Sequence, residues 1–344
     1  MFEKEKKIQF KINNRVIDQN SKTFVISEIG INHEGSLSEC IKMIEESKKA
    51  GADAVKLQTV SATNSYLKNT KSYKEFKKTN FSDEKLFKII KFAKKKKLIF
   101  FSTPGSFAEV DRLIKLGVSA IKISSGSMTN FPLISYAAKK SKSIIISTGM
   151  AYQSEIKNAV SACNSNKNLA ILKCTSLYPP EDDELNLRSI KLFKKNFKHI
   201  IGYSDHKKDY LSCIIAVCNG AKIIEKHFTL DSSKTGKDHH ISLEPRIFKR
   251  MVDNIRRTET MMGNSGILPA AREIKNRNLY HRCLVTNKEI LKGEKFTSQN
   301  ISLKRVSKKS NYGLEPKYYK KILSRKSLKK IPKNMPIKKK LVNW

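Results

Sequence analysis

Short apolar segments recur along the first two thirds of the chain at intervals of roughly 20–35 residues, and most are nearly continuous in apolar character. Continuous apolar runs of this length are typical of parallel strands that are covered on both faces. The predicted strands are 23–30, 54–60, 98–104, 120–125, 143–150, 169–178, 199–206 and 221–230. Helix-period stretches lie between them, which predicts an α/β fold: a closed (β/α)8 TIM barrel rather than an open doubly wound sheet.

The pattern changes near residue 283, where short β-like pieces with turn signals replace the alternation of strands and helices. A small, separate, mostly-β domain is therefore expected at the carboxyl end. The amino-terminal stretch KIQFKINNRVID resembles a hairpin that plugs the barrel's amino-terminal end. The predicted domains are a hairpin cap (1–22), the barrel (23–265), a linker (266–282) and the small domain (283–344).

Every predicted strand turns polar near its end, which is where TIM barrels carry their chemistry. The stretch AKIIEKHFTL is an example, because Glu225 and His227 lie two apart and so face the same side of a buried strand. The polar residues near the strand ends are Glu28, Lys56, Gln58, Ser102, Thr103, Lys122, Ser124, Ser125, Ser147, Thr148, Lys173, Thr175, Ser176, Tyr178, Ser204, Asp205, His206, Glu225 and His227. The same trend on eight strands predicts one shared site at one end of the barrel.

Two histidines at neighbouring strand ends predict a metal site. His206 and His227 follow each other on adjacent predicted strands, with the carboxylates of Asp205, Glu225 and Asp238 nearby in the sequence. Imidazole and carboxylate ligands suit a divalent first-row metal with open positions. A pair of hydrogen-bonded core histidines is the alternative.

A second set of strand-end residues predicts an anion site. Lysine is rarely buried without a partner, so inward-facing Lys56 and Lys122, with Thr103 and Ser125 beside them, indicate a phosphate-like group. Lysines that extend to solvent from the strand ends are the alternative. Together the two sets favour lyase or transferase chemistry on a phosphorylated small substrate, with a metal that activates a carbonyl.

Composition adds little to this picture. The net charge is +38, from 69 basic and 31 acidic residues. The lysines are spread over many predicted helix faces without interleaved aromatics, which favours a solvated surface over nucleic-acid binding. With no secretory leader, no membrane-length apolar run and scattered cysteines, the sequence predicts a soluble, cytoplasmic protein with no membrane or nucleic-acid partner.

Eleven collinear blocks resemble the sialic acid synthases, the family of N-acetylneuraminate synthase and its nonulosonate relatives. The blocks are EIGINHEGS, KKAGADAVKLQT, FFSTP, AIKISSG, ISTGM, CTSLYP, NLRSI, IGYSDH, IEKHFTLD, GKDHHISLEP and LVTNKEILKGE with NISLKR. The resemblance implies a TIM barrel followed by a small antifreeze-like (SAF) domain. It also implies a domain-swapped homodimer and a divalent metal, most often Mn²⁺, with Mg²⁺ or Co²⁺ as alternatives.

The resemblance further implies the reaction and the role of each site residue. The family condenses phosphoenolpyruvate with an N-acetylated hexose such as N-acetylmannosamine, which gives a nine-carbon 2-keto sugar acid and phosphate. Glu28 would be the acid/base residue, and His206 and His227 would be catalytic metal ligands. The implied phosphoenolpyruvate-binding residues are Lys56, Thr103, Lys122 and Ser125. The implied sugar-binding residues are Ser176, Tyr178, Ser204, Glu225, Asp238 and, from the SAF domain of the partner, Arg305.

Departures from the family pattern leave the acceptor sugar open. Ser176 stands where some N-acetylneuraminate synthases have asparagine, and serine there is common in legionaminate-type relatives. We therefore expect an N-acetylneuraminate synthase, with an N,N'-diacetyllegionaminate synthase or another nonulosonate synthase as the alternative. A related barrel synthase with a phosphorylated acceptor, and a basic nucleic-acid-binding protein, are the other two hypotheses.

Overall fold

The computed structural model describes residues 8–163, 168–236, 238–263, 266–308 and 311–344. Residues 1–7 of the predicted cap and the predicted domain boundary at residue 265 lie outside this range. Contacts divide the chain after Gly263 into two compact units, and each is described by itself.

The first unit begins with an antiparallel hairpin of two short strands. They are β1 (Gln9–Ile12) and β2 (Arg15–Asp18). Phe10, Ile12 and Ile17 are fully buried in the main core. Ser143 Oγ donates a hydrogen bond to the Lys11 carbonyl at 2.7 Å, so the hairpin lies against the amino-terminal end of the barrel.

Eight parallel strands close into a barrel, as the apolar pattern predicts. They are β3 (Phe24–Gly30), β4 (Ala54–Thr59), β5 (Ile99–Pro104), β6 (Ala120–Ile123), β7 (Ser143–Ser147), β8 (Leu169–Cys174), β9 (Ile200–Asp205) and β10 (Ile223–His227). Each strand pairs with its neighbours in chain order, and β10 closes the barrel against β3. Most of the predicted strands extended too far at the carboxyl end, because the polar residues there belong to loops above the barrel.

Helices surround the barrel and connect its strands. They are α1 (Leu37–Lys49), α2 (Ala62–Ser65), α3 (Lys71–Thr79), α4 (Asp83–Lys95), α5 (Phe107–Lys115), α6 (Phe131–Lys140), α7 (Gln153–Ala162), α8 (Ser189–Asn196), α9 (Leu211–Cys218) and α10 (Pro245–Met262). Among the described residues, no helix is both long and apolar enough to cross a lipid bilayer.

The helix α1 shows how the sequence specifies these elements. Ser36 caps its amino end by accepting a hydrogen bond from the Glu39 backbone N–H at 3.3 Å. Cys40, Met43 and Ile44 recur at helical spacing and are buried against the sheet. Such amphipathic helices and the doubly covered strands together form one continuous core around the barrel.

The second unit contains a helix and a small β domain. Its elements are α11 (Ala271–Tyr280), β11 (Cys283–Thr286), β12 (Ile301–Lys304) and α12 (Tyr319–Ile322). The helix α11 occupies most of the segment predicted as a linker and has no buried residue among those described. The strands β11 and β12 pair antiparallel, and further bridges join Val285 to Pro336 and Ile290 to Ile331. Phe296 is fully buried in a separate apolar core.

Candidate active site at the carboxyl ends of the barrel strands

The parallel register brings the predicted polar residues of adjacent strands side by side. His227 of β10 lies opposite Glu28 of β3, and Glu28 lies opposite Lys56 of β4. Glu225 lies opposite Ser204 of β9. These side chains alternate along their strands with apolar or outward-facing neighbours, so they all project into the barrel.

Two carboxylates and two ammonium groups meet inside the barrel. Lys56 Nζ lies 2.9 Å from Glu28 Oε1 and 3.6 Å from Glu225 Oε1. Lys122 Nζ lies 3.4 Å from the same oxygen of Glu225. All four side chains are at least nine-tenths buried, so the pairs are poorly screened by water. The interior charges balance without any bound ion.

Neutral hydrogen-bonding groups complete this cluster. Lys56 Nζ donates to Thr103 Oγ1 at 3.2 Å, and Ser204 Oγ donates to Glu225 Oε1 at 3.0 Å. Gln58 Nε2 donates to Glu28 Oε1 at 3.0 Å. Gln58 was noticed in the sequence only as a polar strand residue, and its contact with Glu28 makes it a further site residue.

The cluster shifts the pKa values of its members in different directions. Burial raises the pKa of Glu28, and the nearby Glu225 raises it further, against the opposing effect of Lys56. Burial alone would raise the pKa of Glu225, but Lys122 and Lys56 outweigh it and the pKa is lowered. Burial lowers the pKa of Lys122. Divergent carboxylate pKa values in one cavity are typical of sites that divide acid and base roles.

The two predicted metal ligands lie together, as the sequence indicates. The ring centroids of His206 and His227 are 5.3 Å apart, and both side chains are buried. His206 Nδ1 donates to the Thr175 carbonyl at 2.8 Å, which leaves Nε2 as an acceptor. Burial lowers the pKa of His227 well below its usual value, and the neighbouring His206 adds to this effect, so His227 is neutral. Neutral imidazole is the form that binds metal ions.

Asp238 reaches the same place from the loop that follows β10. Its Oδ2 atom lies 3.9 Å from His227 Nδ1, and its side chain is buried. A glycine leaves room for this approach: Gly30 has φ of +56°, and a Cβ there would lie 3.3 Å from Glu28 Oε1 and 3.6 Å from Asp238 Oδ2. The sequence signal of Gly30 is weak and consists of its position directly after a polar strand end.

Ser125, of the implied phosphoenolpyruvate-binding set, and Ser176, of the implied sugar-binding set, meet at a second glycine, Gly149. Ser125 Oγ accepts a hydrogen bond from the Gly149 N–H at 3.0 Å. A Cβ on Gly149 would overlap Ser176 Oγ and lie 2.7 Å from Ser125 Oγ. Tyr178 stacks on His206, with ring centroids 4.1 Å apart and planes inclined by 25°. The implied sugar-binding residues of the barrel thus adjoin both the anion set and the histidines.

Two polar strand residues face the other way, contrary to the sequence interpretation. Asp205 forms an ion pair with Lys226 at 2.6 Å on the outer side of the barrel, so its carboxylate does not project into the cavity with the two imidazoles. Lys173 lies 5.9 Å from the Tyr203 ring centroid on the same outer side. Each follows from strand alternation, because both are one residue away from inward-facing positions. Arg305 belongs to the second unit, directly after β12, and is exposed.

Several buried polar atoms at these strand ends have no hydrogen-bond partner within the described part of the chain. They are Glu28 Oε2, Ser147 Oγ, Ser176 Oγ, Glu225 Oε2 and His227 Nδ1. Unsatisfied buried polar atoms are rare in native proteins, and several at one place indicate a ligand that satisfies them. Ser147 is thereby added to the site, and its sequence signal is its position at the end of β7.

The residues present fit a divalent metal at the two histidines. His206 has its Nε2 atom available, because Nδ1 is bonded to the Thr175 carbonyl. The Nδ1 atom of His227 makes no hydrogen bond to the described residues. No group of three or more His, Cys, Asp or Glu side chains among the described residues has metal-ligating geometry. Two imidazoles supply fewer protein ligands than the three usual at catalytic metal centres, so substrate or water would complete the coordination.

A TIM barrel with lysines, carboxylates and imidazoles at the carboxyl ends of its strands belongs to the class of barrel enzymes. Residues 43–266 match the model of the NeuB family, and residues 281–343 match that of the SAF domain. The chain belongs to the NeuB family and carries a carboxyl-terminal SAF domain. The described barrel and the small β unit correspond to these two parts.

Named relatives and a solved structure agree with this assignment. The chain is 39% identical to N,N'-diacetyllegionaminic acid synthase of Campylobacter jejuni over 83% of this chain and 90% of that protein. It is 34% identical to pseudaminic acid synthase of the same species over 91% of this chain and 94% of that protein. The crystal structure of N-acetylneuraminic acid synthetase from Leptospira borgpetersenii, in complex with citrate, is 32% identical, with a TM-score of 0.76, over 80% of this chain and 98% of that one.

Proposed function

We propose that this protein is a nonulosonate synthase that condenses phosphoenolpyruvate with an N-acetylated hexose and releases phosphate. The observation that carries the proposal is the set of unpartnered buried polar atoms at one end of the barrel, beside a charge-balanced pair of lysines and carboxylates. Family membership and the names of the relatives support the same activity.

The anion half of the site would take phosphoenolpyruvate. Lys56 and Lys122 supply positive charge, and the hydroxyls of Thr103 and Ser125 supply hydrogen bonds in the same part of the cavity. The lysines are held by carboxylates in the free protein, so an anionic substrate exchanges one set of charge pairs for another. This exchange avoids burying an uncompensated charge.

His206 and His227 would hold the divalent metal, with Mn²⁺ as our first choice. When bound there, such an ion polarises a carbonyl oxygen for attack by a nucleophilic carbon. The Thr175 carbonyl occupies Nδ1 of His206, and burial keeps His227 neutral, so Nε2 of His206 and the ring of His227 remain for this role. Asp238 lies beside His227 and would contact the sugar.

Glu28 would be the acid/base residue. Burial raises the pKa of Glu28, which makes its carboxylate more basic than an exposed one, and its Oε2 atom has no partner among the described residues. As a carboxylate it can accept a proton from the water that attacks the oxocarbenium carbon. Gln58 and Lys56 hold the other oxygen and thereby orient the free one.

The acceptor would lie between the histidines and the residues near Gly149. Tyr178, Ser176, Ser204 and Glu225 belong to this side of the cavity. In the proposed domain-swapped homodimer, Arg305 of one subunit would reach the sugar bound in the other. Sedimentation of the full chain tests the dimer, and a monomer that is fully active would refute this role for Arg305.

Two acceptors are candidates. The sequence resemblance implies N-acetylmannosamine first, and use of this sugar would make the protein an N-acetylneuraminate synthase. The 39% identity to N,N'-diacetyllegionaminic acid synthase, together with Ser176, favours 2,4-diacetamido-2,4,6-trideoxymannose as the second.

Phosphate release from phosphoenolpyruvate, measured with each sugar in the presence of Mn²⁺, tests the proposal. Sugar-dependent and metal-dependent release is expected, and the preferred sugar identifies the product. His206→Ala and His227→Ala should both abolish release, and full activity of either variant would refute the metal assignment. Release with neither sugar would refute the proposed reaction.

A further inference from the structure

A buried polar cluster lies on the outer side of the barrel, behind the two histidines. We call it the outer polar cluster, and it consists of Lys173, Thr175, Tyr203, Asp205 and Lys226. The side chains of Asp205 and Lys226 are fully buried, with Nζ 2.6 Å from Oδ2. Tyr203 donates its hydroxyl to Asp205 Oδ1 at 2.8 Å. None of these side chains enters the reaction proposed above.

The ion pair of this cluster joins the two strands that carry the histidines. Lys226 of β10 lies directly opposite Asp205 of β9. The preceding pair, Glu225 and Ser204, is also directly opposite and is hydrogen-bonded at 3.0 Å on the inner side. Two successive cross-strand pairs, one on each side of the sheet, therefore fix the register of β9 against β10.

The same ion pair also holds the backbone directly after His206. Asp205 Oδ1 accepts a hydrogen bond from the Lys207 N–H at 3.3 Å. Lys226 Nζ donates to the Lys207 carbonyl. Both backbone polar groups of Lys207 are thus tied to buried, charged side chains, so the loop cannot rotate without breaking charge-assisted hydrogen bonds.

The imidazole itself is held through Thr175. His206 Nδ1 donates to the Thr175 carbonyl at 2.8 Å. Thr175 Oγ1 in turn accepts a hydrogen bond from Lys173 Nζ at 2.6 Å. Lys173 is buried and Thr175 is half-buried, so water competes with this bond less than it would at the surface. The group that selects the tautomer of His206 is therefore fixed by the outer polar cluster.

We propose that the outer polar cluster positions His206, with its Nε2 atom free and aimed into the barrel. Stability alone does not account for the ion pair, because apolar replacements of buried ion pairs are often neutral or stabilising. Orientation does account for it, since an apolar pair could hold neither the N–H nor the carbonyl of Lys207. These residues are positioning residues and touch no substrate.

Two variants test the proposal. Asp205→Leu/Lys226→Met replaces the ion pair with apolar side chains, and Lys173→Met removes only the donor to Thr175. Lys222→Met is the matched control: Lys222 Nζ also donates to a backbone carbonyl, that of Ser21 at 2.8 Å, but precedes β10 at the opposite end of the barrel.

Two readouts separate positioning from a general structural role. The first is the tautomer of His206 in the metal-free full chain, from nitrogen-15 imidazole spectra assigned with His206→Gln. The second is Mn²⁺ affinity without substrates, from titration by electron paramagnetic resonance. We expect an Nδ1–H tautomer in the wild type and in Lys222→Met, and a mixture of tautomers in both cluster variants. Their dissociation constants for Mn²⁺ should rise by about 10–100-fold.

The outcomes separate this inference from the proposed function. Only the Mn²⁺ measurement rests on the proposed function; the tautomer measurement does not. Folded variants with the wild-type tautomer and wild-type affinity would overturn the inference, as would an Nε2–H tautomer in the wild type. If the double variant does not fold, Lys173→Met decides by the same criteria. A wild type that binds no Mn²⁺, with variants that shift the tautomer, would refute the metal assignment and still support positioning.

Discussion

Glu225 is the centre of the interior charge cluster, and neutralising it should destabilise the barrel strongly. Its Oε1 atom lies 3.4 Å from Lys122 Nζ and 3.6 Å from Lys56 Nζ. In Glu225→Gln, Lys56 keeps Glu28 at 2.9 Å. Lys122 loses its ion pair with Glu225, and its pKa, which burial already lowers, loses the opposing effect of that carboxylate. The buried Lys122 ammonium therefore carries most of the expected penalty.

The size of this effect follows from the distances. At an effective dielectric constant of 20, a pair separated by 3.4 Å contributes about 5 kcal/mol of Coulomb energy. The net loss is smaller, because glutamine still accepts the hydrogen bond from Ser204 and is less costly to bury than a carboxylate. Breaking buried pairs costs about 3–5 kcal/mol, and we expect Glu225→Gln to lower the free energy of unfolding by this amount.

The double variant Glu225→Gln/Lys122→Met isolates the interaction, since it removes both charges at once. We expect it to be more stable than the sum of the two single variants predicts, with a coupling energy of about 2 kcal/mol. Urea unfolding followed by circular dichroism at 222 nm is the assay, because it reports on the barrel helices. Trp344, the only tryptophan, lies in the second unit and does not serve for this purpose. Additivity within about 0.5 kcal/mol would refute the assigned pairing.

Three further predictions concern other parts of the molecule. Burial lowers the pKa of His33 to about 4, so the unfolded chain binds a proton at this residue before the folded protein does. The stability that neutral His33 allows is complete above about pH 6.5 and is lost as the pH falls to about 4, which amounts to about 3 kcal/mol. His33→Gln should flatten this decline in thermal melts, and an unchanged pH profile would contradict the prediction. Gly30→Ala forces an alanine into the left-handed region and against Glu28, so it should cost about 1–2 kcal/mol of unfolding free energy and most of the phosphate release; wild-type turnover would refute this. Phe296→Ala should cost the SAF unit about 3–5 kcal/mol, seen as a lower urea midpoint of Trp344 fluorescence, and an unshifted midpoint would show that this core is not cooperative.

The barrel could be predicted because its strands are buried on both faces and therefore produce unbroken apolar runs. All eight predicted strands are present, and His206 and His227 do lie together. Strand alternation then explains the two errors, since Asp205 and Lys173 are each one residue out of phase with the inward positions. A polar residue near a strand end indicates the site only if its position in the strand alternation also points inward.

Other parts of the site leave little trace in a single sequence. Gly30 and Gly149 matter because of the space that a Cβ would occupy, and this is visible only when distant segments are assembled. Gln58 gains its role from a hydrogen bond to a strand 30 residues earlier in the chain. The pKa values depend on burial and on charges from other strands, so they too follow from the fold and not from local sequence.

The charge balance of the cavity connects its resting state to the proposed reaction. Glu28 and Glu225 lie against Lys56 and Lys122 and oppose the loss of protons that burial of an ammonium group favours. Burial raises the pKa of Glu28 whereas the pKa of Glu225 is lowered, so Glu28 is the more basic of the two carboxylates. If Glu28 takes up a proton, a cationic excess remains beside Thr103, which favours an anionic ligand. In the proposed function, proton uptake by Glu28 and binding of phosphoenolpyruvate should therefore be coupled.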